Sequence, residues 1–133
     1  MIKEKKAQTM LSLVFLISGV MIAIGVAVAI IAVSFINSVY AYRSASLVEA
    51  MAESGINDAV LRLERNNSYT GQFVINFANG SVTVTVSSGP LTNQDTVTAF
   101  SQLASAQQKI TAILAIDPTT KVVSVVSWQK QNF

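Results

Sequence analysis

No Asp, Glu, Lys or Arg interrupts the chain between Lys6 and Arg43, and the run from Met10 to Tyr40 (MLSLVFLISGVMIAIGVAVAIIAVSFINSVY) is apolar on every side of any helix it forms. A bilayer core is crossed by about 20 apolar residues in a helix. Leu11 to Phe35 alone rises roughly 37 Å at helical pitch. A soluble domain of 133 residues has nowhere to bury such a segment, so the run is expected to be a transmembrane helix. A secretory signal has an apolar region of only about 7–15 residues ahead of a small-residue cleavage site. Val39-Tyr40-Ala41 fits such a site, which keeps a domain released near Tyr42 as a competing reading. A permanent single-pass anchor is the other.

Charge then sets the orientation. Lys3, Lys5 and Lys6 precede the run in a chain whose net charge is only +2, and basic residues flanking a first helix stay cytoplasmic. The N-terminus is expected inside, with everything after Arg43 outside the cytoplasm. About 90 residues remain for that outer part, enough for one small domain. With no cysteine and no histidine in the chain, disulfide staples, the usual transition-metal sites and His-based catalysis lack their starting material. No phosphate loop, nucleophile triad, metal cluster or basic aromatic stripe appears. The inventory points away from an enzyme, from a cofactor and from a nucleic-acid partner.

Beyond Tyr40 the sequence turns amphipathic without breaking. Val48, Ala52, Gly55, Ile56, Ala59 and Leu63 keep the three-and-four spacing of one helical face. Arg43, Glu49, Glu53, Asn57, Arg62 and Glu64 lie largely off it, and Asp58 and Arg62 are spaced for an i,i+4 pair. Asn66-Asn67-Ser68 marks the stop. One continuous helix is expected from about Thr9 to Arg65, with a cytoplasmic leader over residues 1–7, a membrane half over 8–41 and an outer half over 42–67.

Residues 68–133 read as an antiparallel β domain. Gln72–Phe77 alternates with Phe73, Ile75 and Phe77 on one face. Asn79-Gly80 signals a tight hairpin through its tolerance of positive φ. Ser81–Ser87 places Val82, Val84 and Val86 on one side, and Gly89-Pro90 followed by LTNQD connects to the next element. From Thr96 to Ile116, Phe100, Leu103, Ile110 and Leu114 fit a helix, but the β-prone Thr96-Val97-Thr98 and Lys109-Ile110-Thr111 favour two strands joined near Ser105. Asp117-Pro118-Thr119-Thr120 is a turn, and Lys121–Lys130 the last strand. The expected fold is α+β: a long N-terminal helix packed by its outer half on a meander of about five strands.

Several residues have both a functional and an ordinary reading. Gly19 and Gly25 permit close helix packing in membranes, although glycine is common in such helices. Ser12, Ser18 and Ser34 are expected to bond back to helix carbonyls. Glu49 and Glu53 have the spacing of an acid/base pair, but no pocket-forming neighbours. They read as a solvated or subunit-facing edge. Trp128 and Phe133 offer a binding surface, or simply anchor the last strand.

Lys5-Lys6-Ala7-Gln8-Thr9 ahead of the apolar run, together with Ala52–Leu63 (AESGINDAVLRL), resembles the leader and outer helix of type IV pilins, in particular minor pilins and pseudopilins. The resemblance covers the first half of the chain; the sheet matches in pattern only. It implies cleavage by a prepilin peptidase between Ala7 and Gln8, with Gln8 as an N-methylated mature terminus. It implies other pilin subunits and membrane lipid as partners, and a place in a pilus, secretion or DNA-uptake filament after residence in the inner membrane. Alanine stands where the family's cut usually follows glycine. Ser12 stands at the family's assembly carboxylate, which pairs with a neighbour's terminal amine; subunits lacking it occur at filament tips. The family's C-terminal cysteine pair is missing. Asn66-Asn67-Ser68 and Asn79-Gly80-Ser81 match a glycosylation pattern, read here as coincidental in a prokaryotic family.

Overall fold

Both prolines lie beyond residue 89, and nothing earlier forbids a helix. In the computed structural model, which describes residues 1–132, a single α-helix (α1) runs Ile2–Arg65, 64 residues. Its start is the first departure from expectation. The leader is helical too, because Lys3 to Gln8 are good helix formers with no breaker before Thr9. The Thr9 hydroxyl bonds back to Lys5 O at 2.8 Å. The end falls as expected: Ser68 N donates to Asn66 Oδ1 at 3.1 Å and Tyr69 N to Asn66 O at 3.0 Å, a side-chain turn that diverts the backbone from helix.

The chain divides into two compact units, Met1–Tyr40 and the residues from Ala41 onward. Every residue of the first is exposed. In the second, five antiparallel strands follow: β1 Gly71–Phe77, β2 Gly80–Ser88, β3 Gln94–Leu103, β4 Ala106–Ile116 and β5 Val123–Asn132. They form one sheet in the order β1-β2-β3-β4-β5, a plain meander. The stretch that fitted either helix or two strands is two strands, turning at Ala104-Ser105.

The outer part of α1 lies across one face of this sheet. Val48, Ala52, Gly55, Ile56, Ala59 and Leu63 are all buried, as the spacing required, and Met51 joins them. Opposite them sit Val82, Val84, Val86, Val97, Ala99, Leu103, Ile110, Ala112 and Leu114. Ala52, Gly55 and Ala59 are the smallest residues of the stripe, and they let the helix backbone approach the valines of β2. A Cβ on Gly55 would fall 2.8 Å from both Val82 Cγ1 and Val84 Cγ2.

Four details differ from the sequence reading. The β1–β2 hairpin turns on Ala78-Asn79, between paired Phe77 and Gly80. Neither Asn79 nor Gly80 takes positive φ. Glycine is needed at position 80 for space, since a Cβ there would strike Gln102 O and come within 2.9 Å of Met51 Cε. β3 already begins at Gln94, inside the expected connection, and β5 begins only at Val123, because Lys121 takes φ 61° in closing the Asp117 turn. Phe77, expected inward, is exposed at the end of an edge strand.

Ser101 and Gln108 are the buried polar residues of the core. Ser101 Oγ donates to Val48 O of the helix at 2.6 Å, with Gln108 O at 3.3 Å as a second acceptor. Gln108 Nε2 donates to Gln131 O at 3.3 Å. Ser101→Ala is expected to lower unfolding stability by about 1 kcal/mol, the usual worth of one intramolecular hydrogen bond. Urea midpoints of the detergent-solubilised chain measure it.

Candidate functional site

Three regions bear on function: the bare helix, the contacts that seat α1 on the sheet, and a cleft at the Arg65 end of the sheet.

On the bare helix, Ala7 and Gln8 are exposed within regular helix. The Ser12 hydroxyl donates to Gln8 O at 3.1 Å, so this side chain is satisfied along its own backbone. Ser38 does the same to Ser34 O at 2.9 Å; among the described residues the hydroxyls of Ser18 and Ser34 make no such bond. Around Gly19 and Gly25 an added Cβ would meet nothing within 4 Å. Leu11, Phe15, Ile22, Ile24, Ile31 and Phe35 all expose more than half their surface. The helix is therefore long and apolar enough to cross a membrane, and none of its most apolar stretch is buried in the fold.

The seating contacts explain the spacing of the two glutamates. Lys130 of β5 ion-pairs with Glu49 and, at 3.5 Å, with Glu53. One ammonium thus spans two successive turns of the helix. The bond to Glu49 chiefly, with Glu53 adding to it, raises the Lys130 pKa. This pair is a clasp rather than an acid/base couple. On the opposite flank Arg62 pairs with Asp58 at 2.9 Å and lies 3.8 Å from the Phe73 ring centroid and 5.8 Å from that of Tyr69. Trp128 is the Cα partner of Ala112 on the helix-facing side of the sheet and keeps 37% of its surface exposed. Phe133 lies outside the described residues. Asn79 is exposed at a hairpin tip and Asn66 is engaged in the helix-end turn.

Sequence reasoning missed the cleft. The connections after α1, between β2 and β3, and between β4 and β5 meet at one end of the sheet and line an open cleft of about 440 Å³. Asn67, Leu91, Asn93, Asp95, Asp117 and Lys121 are among its lining. Each connection was legible as a turn, but their convergence depends on strand order and register. Asp95 sits at the end of the core face of β3, opposite Ser88 and Leu114. Its partly exposed carboxylate makes neither a hydrogen bond nor an ion pair among the described residues, unlike that of Asp117, whose Oδ1 accepts from Thr119 N at 2.7 Å and Thr120 N at 2.9 Å. No family model, curated protein or solved structure matches this chain. No group of three or more metal-ligating side chains gathers among the described residues.

The two carboxylates act oppositely on stability. Burial pushes Asp95 above the ordinary carboxylate range, while the N–H groups of Thr120 and Thr119 hold Asp117 below it. A raised folded pKa means that stability present below the unfolded pKa is lost as pH rises through the folded one. Asp117 contributes above its unfolded pKa, and its share disappears as pH falls through the lower folded value. Asp95→Asn is therefore expected to raise the urea midpoint at neutral pH and to flatten its decline above the carboxylate range. A series from about pH 3 to about pH 7 brackets both groups.

Proposed function

We propose that this chain is a structural subunit of a type IV pilus or a related secretion or DNA-uptake filament, of the minor pilin or pseudopilin kind. The observation that supports the reading most is a helix left bare over its entire apolar run that continues, without proline or break, into a stripe sealed under a β-meander. A surface of that kind needs hydrocarbon or other helices around it, and one segment serves both environments. The subunit waits in the inner membrane with Lys3, Lys5 and Lys6 on the cytoplasmic side. Prepilin peptidase removes the leader between Ala7 and Gln8, and the helix is then drawn into a bundle of its neighbours. Its role is assembly rather than catalysis. Ser12 in place of a carboxylate fits a subunit that does not pair with a neighbour's terminal amine, and it spares the bundle an unpaired buried charge.

The mass of the native N-terminus tests the reading. A chain beginning at Gln8, with or without a methyl group, is expected, as is co-purification with sheared surface filaments. Ala7→Leu is expected to leave the leader attached and the filament fraction empty; normal processing of that variant would remove the peptidase from the scheme. A second reading is favoured by the unbroken helix through Ala7-Gln8 and by the cleft: a permanent anchor whose β domain is a binding module. It requires an intact Met1 in the mature protein.

A further inference from the structure

We propose that the open edge of β1 is a self-association site, which takes β1 of a second copy of this chain antiparallel and centred on Val74. The inference does not depend on how the apolar helix is used, because it rests on the β domain alone.

The sheet has two edge strands, β1 and β5, and the sequence treats them differently. Along β5 the pairing with β4 slips between Ile113 and Leu114, and Lys130 stands in the strand. Bulges and lysines are devices that keep a foreign strand off an edge. β1 has neither. Its register with β2 is regular from Gly71 to Phe77. No Asp, Glu, Lys or Arg occurs between Arg65 and Asp95, and the strand contains no proline. An uncharged, regular edge is thus left open, with Val74 at its centre 53% exposed.

Register identifies the groups that face outward. Ala78-Asn79 is a two-residue turn, and the residues flanking such a turn, here Phe77 and Gly80, exchange both main-chain bonds. By alternation Ile75, Phe73 and Gly71 face β2 in the same way. The N–H and C=O groups of Gln72, Val74 and Asn76 therefore point to the open edge. Antiparallel pairing sets outward residues opposite outward residues, and the strand (GQFVINF) meets that condition against itself. With Val74 opposite Val74 of the second copy, Gln72 stands opposite Asn76 and Asn76 opposite Gln72, each pair exchanging both main-chain bonds. The side chains agree. One face sets valine on valine and amide on amide; the other sets Phe73 opposite Ile75 and Gly71 opposite Phe77. A shift of two residues either way leaves one outward residue of each copy unpaired and places Val74 against an amide. This self-complementarity is what a two-fold interface requires, and it selects a second copy as the occupant. The axis is normal to the sheet and reverses the direction in which the outer part of α1 crosses it. Neighbours that run in the same sense cannot form this pair; it joins copies that meet with opposed polarity.

The chain has no cysteine, so single cysteines report the register. Full-length Val74→Cys, Gln72→Cys and Asn76→Cys proteins are oxidised with copper phenanthroline in detergent micelles. Facing Cα atoms of a bonded antiparallel pair lie about 5.5 Å apart, inside the range a disulfide spans. Position 72 of the two copies is separated by about 13 Å at about 3.3 Å per residue, outside it. Val74→Cys is expected to give a covalent dimer. Gln72→Cys and Asn76→Cys are each expected to stay monomeric alone and to cross-link when mixed. Adding Val74→Pro to both members of the mixture removes the central outward N–H and none of the bonds to β2. It is expected to cut the mixed dimer by about fivefold or more. Val74→Lys, which sets two ammonium groups face to face at an exposed position, is expected to do the same. A Val74→Cys protein that stays monomeric would overturn the proposal, and β1 would then be left to another strand. Equal dimer yields at all three positions, which report crowding in the micelle, would overturn it too, as would a mixed dimer unmoved by both substitutions at Val74.

Discussion

Gly55→Leu is expected to unseat the helix from the sheet and to remove a large part of the stability of the outer domain. The position has no room for a side chain: even a single Cβ would stand 2.8 Å from Val82 Cγ1, 2.8 Å from Val84 Cγ2 and 3.5 Å from Ala99 Cβ. Those neighbours cannot step aside easily. Val82, Val84 and Ala99 are each fully buried, and β2 and β3 are fixed by register on both sides. Overfilling a packed core of this kind costs about 1–3 kcal/mol and sometimes more, against a total of about 5–15 kcal/mol for a typical domain. Leucine adds three carbons beyond the Cβ, so the upper end of that range is expected. The urea midpoint should fall sharply, near-UV signal from Trp128 should weaken, and the loops should become open to protease. Gly19→Leu and Gly25→Leu provide the contrast, since a Cβ at either meets nothing within 4 Å; both should leave the midpoint of the outer domain where it is. A Gly55→Leu protein as stable as the parent would mean that the stripe does not rest on β2 as described.

The difference between those glycines shows what could be read in advance. Spacing alone put Gly55 on the inward stripe, because helical period is a local property and the stripe has a single apolar side. The same logic secured the three valines of β2 and the pair of strands from Gln94 to Ile116, where alternation outweighed the weaker helical pattern. What spacing could not convey was distance across the interface. Gly80 looked like a turn residue and is instead a glycine because Gln102 O and Met51 Cε crowd it, a fact set by strand register and helix placement together. Met51 was missed for the same reason: it lies at the margin of the stripe and is buried by the β1–β2 hairpin. Glu49 and Glu53 were recognised as a pair, but their shared cation came from position 130, 81 residues beyond Glu49. The cleft was hidden most completely, since three turns that are ordinary one by one meet in it only once the sheet order brings them to one end.

The second large effect is expected in the bare helix, and it separates lodging in a membrane from joining a bundle. Ile24 lies near the middle of the apolar run and is 55% exposed. Arginine there costs about 3 kcal/mol on insertion scales. The leucines, isoleucines, valines and phenylalanines of the run favour insertion by about 7 kcal/mol on the same scale, and a long side chain relieves part of the penalty by reaching toward the headgroups. Ile24→Arg should therefore remain in the membrane fraction after alkaline extraction, in an amount close to that of the parent chain. Between packed helices the outcome is different. The guanidinium meets no carboxylate, because no Asp or Glu lies between Glu4 and Glu49 on any copy, and snorkelling to water is blocked by neighbours on all sides. An uncompensated buried charge costs about 3–5 kcal/mol, which corresponds to a loss of about two to four orders of magnitude in the assembled fraction. Ile24→Leu, with the same apolar volume, should assemble normally. Quantifying both variants in sheared surface material against the membrane fraction gives the answer: arginine subunits present in filaments at parental levels would show that this segment is never surrounded by its own kind, and the chain would then be an anchor and nothing more.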